Sequence, residues 1–191
     1  MPFFSYLNDY SDITDILLRN TRRYGKINAF TDMVLRGKSE LRIADRELLA
    51  AYVSALNACQ YCTGIHEAVA LRFGIQPNTI EDLLKAIDDS PIEKKLHPIF
   101  YFAKKLTLSP AKMVQDDADQ VFAAGWSEKA LEDVIAIVAL FNYYNRLLEG
   151  HGIKGFPDIF QEGSKHLAKR GYRFPAIVAF YFKHFRKRKT D

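Results

Sequence analysis

Between Ser127 and Leu148 the apolar residues recur at three- and four-residue spacing, and nowhere in the chain does a period-two run of strand length occur. A stripe of that period forms one continuous face only on a helix. A chain made of such segments must bury its helical stripes against one another, so the expected fold class is all-α. Ser127, followed by Glu128, suits the N-terminus of a long helix running to Leu148. The same period marks 44–57, where Leu48, Leu49, Tyr52, Val53 and Leu56 share a face, and 13–23, centred on Leu17 and Leu18. Further helices are expected around 30–36 ending at Gly37, from Asn78 or Thr79 to Ala86, and over 92–107, 114–123, 158–169 and 175–186. The most apolar stretch, 134–141, directly follows Glu132 and Asp133. It is far short of the ~20 residues of a membrane span and reads as a buried helix.

Composition sets the scale. With 191 residues, 48% of them hydrophobic, the chain can bury the core of one domain or of two small helical halves packed together. The expected layout is a helical extension over 1–40, a helical domain over 41–182 and a basic tail over 183–191. Lys183, Arg186, Lys187, Arg188 and Lys189, less Asp191, account for the whole net charge of +4. The excess positive charge thus belongs to a tail rather than to a basic face, and no basic–aromatic recognition module accompanies it. Neither nucleic acid nor a membrane is an expected partner. Asp9, Asp12 and Asp15 interrupt the first twenty residues, so no export leader is expected there and the cytoplasm is the expected location.

The chemistry is concentrated in Cys59-Gln60-Tyr61-Cys62-Thr63-Gly64-Ile65-His66, which holds both cysteines of the chain. Two thiols three residues apart suit a redox pair or half a metal site better than a cross-linked secreted scaffold. If this stretch opens a core helix after the break at Asn57, positions 59, 62 and 66 share one face. Unpaired amides at a helix start favour thiolate over thiol, and on that ground Cys59 is the more acidic of the two. Glu47 lies on the preceding helix. Folded back across the Asn57 turn, it would approach the cysteine face as a carboxyl among apolar neighbours, with a raised pKa suited to carrying a proton. Tyr52, Tyr61 and Phe73 are expected to give the site an apolar entrance. Zinc is the competing use, with Cys59, Cys62, His66 and Glu47 as four ligands. A structural zinc usually ties two separate ligand clusters together, however, and three of these four come from two turns of one helix. His97, His151, His166 and His184 are scattered and read as structural or surface residues.

The stretch Arg46 to His66, RELLAAYVSALNACQYCTGIH, resembles the core motif of the AhpD-like (alkylhydroperoxidase D, carboxymuconolactone decarboxylase) superfamily: Glu, eleven residues, Cys-x-x-Cys, three residues, His. SALNACQYC is similar to the peroxidase-related branch, as is Phe141-Asn142-Tyr143-Tyr144-Asn145-Arg146, whose Asn-Arg pair resembles the end of that branch's core helix. The likeness covers roughly 40–150. It implies an AhpD-like multi-helix domain with the CxxC at the start of a core helix, forming a homo-oligomer, commonly a trimer or hexamer. It also implies an antioxidant oxidoreductase: a thiol-dependent peroxidase acting on hydroperoxides through a redox-active disulfide, reset by an external dithiol or thiol, with no cofactor and no metal. Carried over, Cys62 corresponds to the peroxidatic thiol, Cys59 to the resolving one, and His66 with Glu47 to the proton relay. Where characterised peroxidases of the family can carry a His before the second cysteine, this chain has Tyr61, whose phenol, titrating near ~10, is a poor base at neutral pH. The alternatives are a zinc-binding protein or a redox-sensing oligomer with little turnover.

Overall fold

The computed structural model describes residues 1–173, so the expected helix over 175–186, the basic tail over 183–191 and His184 lie outside the described residues. Among the described residues there are ten α-helices and no strand. They are α1 (Ile13–Arg19), α2 (Thr21–Tyr24), α3 (Ile27–Arg36), α4 (Ile43–Leu56), α5 (Gln60–Arg72), α6 (Thr79–Lys85), α7 (His97–Leu108), α8 (Gln115–Ala123), α9 (Glu128–Glu149) and α10 (Pro157–Arg170). None is long and apolar enough to cross a membrane.

α4 is the axis of the fold. Every residue from Ala44 to Ser54 is buried, because α5, α6, α7 and α9 pack around it. A helix hydrophobic on all sides belongs at the centre of a core, yet this one also buries Asp45, Arg46 and Glu47. Each has a partner. Asp45 accepts from Arg42 at 2.8 and 2.9 Å, and Arg46 Nη1 donates to the carbonyls of Val34 and Gly37 at 3.0 Å each. α9 supplies the other long wall, with Val134, Ile137, Val138 and Phe141 buried and Ile135 on the outer side. Ser127 caps it, its hydroxyl accepting from the Ala130 N–H at 3.2 Å.

The segment 13–23, expected as one helix, is two. Asn20 ends α1 and caps α2, its side chain accepting from the Arg23 N–H at 3.0 Å. A side chain that can satisfy an orphan amide favours a new helix start over continuation. The turn from α4 to α5 is tight. Asn57, Ala58 and Cys59 donate their N–H groups to Val53, Ala55 and Ser54, and Ala58 takes a left-handed φ of 54°. This turn folds α5 back along α4, as the site requires.

Candidate active site

Cys59 is the N-cap of α5, with extended backbone angles of −85° and 97°, so it stands just outside the helix rather than on its face. Cys62 is three residues on, and the two sulfurs still meet. Both cysteines are unbonded and buried. The Cys62 thiol hydrogen-bonds to Cys59 and lowers the Cys59 pKa, against burial, which raises it. Burial, together with the bond given to Cys59 and that neighbour's charge, holds Cys62 well above the ordinary thiol value, with Asn145 opposing. Of the two thiols Cys59 is thus the more acidic. Helix-start reasoning anticipates this order, and the neighbouring thiol is its largest cause.

Glu47 and His66 meet as the back-folded helices require. His66 Nδ1 lies 2.7 Å from Glu47 Oε2, and Glu47 has no exposed surface. The expectation of a raised Glu47 pKa is overturned. Burial pulls it upward, but the bond and charge of His66, the Arg36 guanidinium and the Tyr172 hydroxyl together hold it below the ordinary carboxylate value. Arg36 Nη1 pairs with Oε1, and Tyr172 OH donates to both oxygens at 2.7 and 2.9 Å. Glu47 is therefore a carboxylate. His66 donates to it from Nδ1, which leaves Nε2 as the ring's acceptor. Phe141 meets the imidazole edge-on at 4.5 Å between centroids and Tyr172 stacks on it at 5.9 Å, fixing its plane.

Cys62 and His66 line one cavity of about 110 Å³. Its walls are mostly apolar and include Leu17, Ile65, Phe141 and Tyr144. The N-terminal segment supplies one side of it through Ile13, Leu17 and Thr31. Thr31 Oγ1 donates to the Ile27 carbonyl at 2.8 Å, so the Tyr144 hydroxyl, 2.7 Å away, donates to Thr31. Of the three aromatics expected at the entrance, only Tyr61 lines the cavity, and burial holds its phenol well above the ordinary value. Tyr52 is instead fully buried against Phe100, and Phe73 lies outside beneath the Arg36 guanidinium. A larger hollow of about 430 Å³ between α7 and α8 is lined by no thiol and no histidine.

The four zinc candidates do not form a ligand set. Among the described residues no three His, Cys, Asp or Glu side chains are grouped to hold a metal ion. The physical reason is that both Glu47 oxygens are already taken by Arg36, Tyr172 and His66. The other described histidines are also accounted for: His97 pairs with Asp88 at 3.2 Å, His151 bonds the Leu147 carbonyl at 2.6 Å and His166 is exposed.

Four residues at the site escape a reading of the motif. Arg36 on α3 and Tyr172 beyond α10 hold Glu47; Tyr172 is placed by Asp32, which accepts its backbone N–H at 2.9 Å. Asn145 and Glu149, one turn apart on α9, address Cys62 and Cys59 in turn. The Asn-Arg pair was the only available signal. Asn145 points inward to Ser54 and Asn57 at 3.0 and 2.9 Å, while Arg146 stays outside on Asn142.

Residues 24–89 match the sequence profile of the carboxymuconolactone decarboxylase family. The uncharacterized protein YdfG of Bacillus subtilis is 27% identical over 114 residues, which span 58% of this chain and 75% of that protein. The fold is shared with two solved structures. One is an uncharacterized peroxidase-related protein from Silicibacter sp. TM1040, with a TM-score of 0.68 at 22% identity over 74% of each chain. The other is an AhpD-core, uncharacterized peroxidase-related protein from Ralstonia eutropha JMP134, with a TM-score of 0.70 at 21% identity over 76% of each chain. The family match is in keeping with the AhpD-like resemblance of the motif, and the two solved structures share the fold.

Proposed function

We propose that this AhpD-like protein is a thiol-dependent peroxidase that reduces hydroperoxides at Cys62 and closes a Cys59–Cys62 disulfide. The observation that carries the reading is the shared cavity: a reduced thiol and an imidazole face the same small apolar space, and the imidazole is backed by an ionised carboxylate. Cys62, which lines the cavity, is the sulfur a substrate reaches, while Cys59 has no exposed surface. His66 takes the Cys62 proton at its free ring nitrogen, and Glu47 stabilises the imidazolium without itself being protonated. The thiolate attacks the peroxide, the O–O bond breaks, and the leaving alkoxide takes the proton from His66 as alcohol. Cys62 becomes a sulfenic acid. Cys59 attacks that sulfur, the S–S bond forms and water leaves. An external dithiol or thiol returns both sulfurs to the reduced state. The apolar walls suit an organic hydroperoxide better than a charged one. A homo-oligomer and a cytoplasmic setting belong to the same reading.

The test is stoichiometric. Reduced protein treated with one equivalent of cumene hydroperoxide is expected to lose two hydrogens in mass, yield one equivalent of the alcohol and regain its mass with dithiothreitol. Cys62→Ser is expected to yield no alcohol. Undiminished turnover in that variant, or a disulfide that forms once and never cycles, rejects the proposal; the second result favours a redox sensor.

A further inference from the structure

Glu149 is the last residue of α9 and lies one turn beyond Asn145. Residues four apart share a helix face, and Asn145 sets that face against Ser54 and Asn57 in the turn whose Ser54 carbonyl accepts the Cys59 N–H, so Glu149 continues the same face beside Cys59. The two oxygens of Glu149 have different surroundings. Oε2 pairs with Lys154 Nζ at an edge where the side chain is 31% exposed. Oε1 is buried and has no hydrogen-bond partner among the described residues, and the charge of this carboxylate bears on the Cys59 thiol. Cys59 itself has no exposed surface and cannot deliver a proton to bulk water directly. The titratable groups facing it are Cys62 and Glu149. His66 and Glu47 belong to the other sulfur.

We propose that Glu149 is the base that receives the Cys59 proton when the pair closes, carrying it from a buried sulfur to the surface beside Lys154. The proposal rests on the redox reading of the pair given above. In the closing step the Cys59 sulfur attacks Cys62 bearing its leaving group. The S–S bond forms as the bond to the leaving group breaks. The Cys59 proton passes to Glu149 Oε1, and the leaving group departs with the bonding electrons. In the sulfenic acid that group is hydroxide, which takes a proton from solvent and leaves as water, while Glu149 returns the Cys59 proton to solvent beside Lys154. When a dithiol later opens the disulfide, the proton returns by the same route. The two cysteines are thus served by separate carboxylates, Cys62 by Glu47 through His66, and Cys59 by Glu149 directly.

Dipyridyl disulfide tests this without any peroxide. Attack by Cys62 releases one pyridinethione, and attack by Cys59 on the mixed disulfide releases a second. In Glu149→Gln the second phase is expected to slow at least about tenfold relative to the first. Its rate is expected to climb with pH where that of the wild type is level, because hydroxide must replace the missing carboxylate; Glu149→Asp recovers part of the loss. Lys154→Met breaks the ion pair but keeps the carboxylate, and is expected to leave the second phase within about twofold. Equal second phases in wild type and Glu149→Gln overturn the proposal. So does equal slowing in Lys154→Met, which would assign Glu149 to holding the loop, and so does an unreactive Cys59→Ser variant, which would make Cys59 the first to attack. A wild type that releases both equivalents yet reduces no hydroperoxide rejects the peroxidase reading and leaves the Glu149 comparison decisive on its own.

Discussion

His66 Nδ1 and Glu47 Oε2, 2.7 Å apart, couple the imidazole facing the cavity to a carboxylate with no exposed surface. A buried charge is tolerable only when its lone pairs are taken, and Arg36, Tyr172 and His66 occupy both oxygens. The coupling therefore orients His66. It does not make Glu47 a proton store.

Replacing Glu47 with Gln keeps the shape and removes the charge. Turnover with organic hydroperoxide is expected to fall roughly 10²-fold, the scale of losing a base's support. Stability should fall as well, because Arg36 loses its partner. The sign of the pH effect follows from the lowered Glu47 pKa. The stabilisation is fully present above the ordinary carboxylate range of ~4.3 and is lost as pH falls through the lower folded value. Urea unfolding of wild type and variant should diverge at neutral pH and converge in strong acid. Parallel curves would show that Glu47 is protonated in the folded state.

Arg36→Met tests the other side of the pair. With the guanidinium gone, burial dominates at Glu47 and its pKa rises. The acid limb of the pH–activity profile should move upward, and unfolding free energy should drop by about 3 kcal/mol, as for a broken buried pair. In a Glu47→Gln background the same change should cost much less. Additive losses in the double variant would mean that the two side chains act separately.

Which parts of this were legible in advance follows from how local each signal is. The helices 44–57 and 127–148, the break at Asn57 and the Cys59–His66 spacing are local periodicities, and they reappear as α4, α9, the Ala58 turn and α5. The approach of Glu47 to His66 needed only that α5 fold back on α4. The Glu47 charge state was not legible. It depends on Arg36, eleven residues earlier on α3, and on Tyr172, 125 residues later, neither of which shares a periodicity with Glu47. Of the aromatics expected at the entrance, Tyr61 lines the cavity and Tyr52 does not, for the opposite reason. Tyr52 lies on the most buried helix and turns toward Phe100, which its helical position alone could not decide.

The order of the two thiols is open to direct titration. Cys59 is the more acidic because the Cys62 thiol bonds to it, and Cys62 is the less acidic through burial and the neighbouring charge. Thiolate absorbance should therefore show Cys59 titrating at higher pH in Cys62→Ser than in the intact pair, having lost the thiol that lowers its pKa. Cys62 in Cys59→Ser should titrate below its value in the pair, yet still above an ordinary thiol because burial persists. Equal values in the two single variants, both ordinary, would show that the pair is not coupled in solution.

Gly64, inside the CxxC-x-x-x-His stretch, marks where α10 closes on α5. A Cβ at this position would lie 2.6 Å from the Phe160 ring, and one at Gly163 would lie 2.8 Å from Ile65 Cδ1. α10 carries Leu167 to the cavity wall and leads into Tyr172, so the space left by these two glycines also sets the seat of the residues around Glu47 and His66. Gly64→Val should cost about 1–3 kcal/mol through overpacking. The Phe160 ring must swing outward, and Tyr172 should retreat from Glu47 with it. The variant is then expected to lose both stability and part of the acid-limb behaviour attributed to Glu47. Phe160→Ala should restore the fit in the double variant, since the added methyls would occupy the vacated ring space. A Gly64→Val protein as stable and as active as wild type would mean that α10 does not close against α5 at this point.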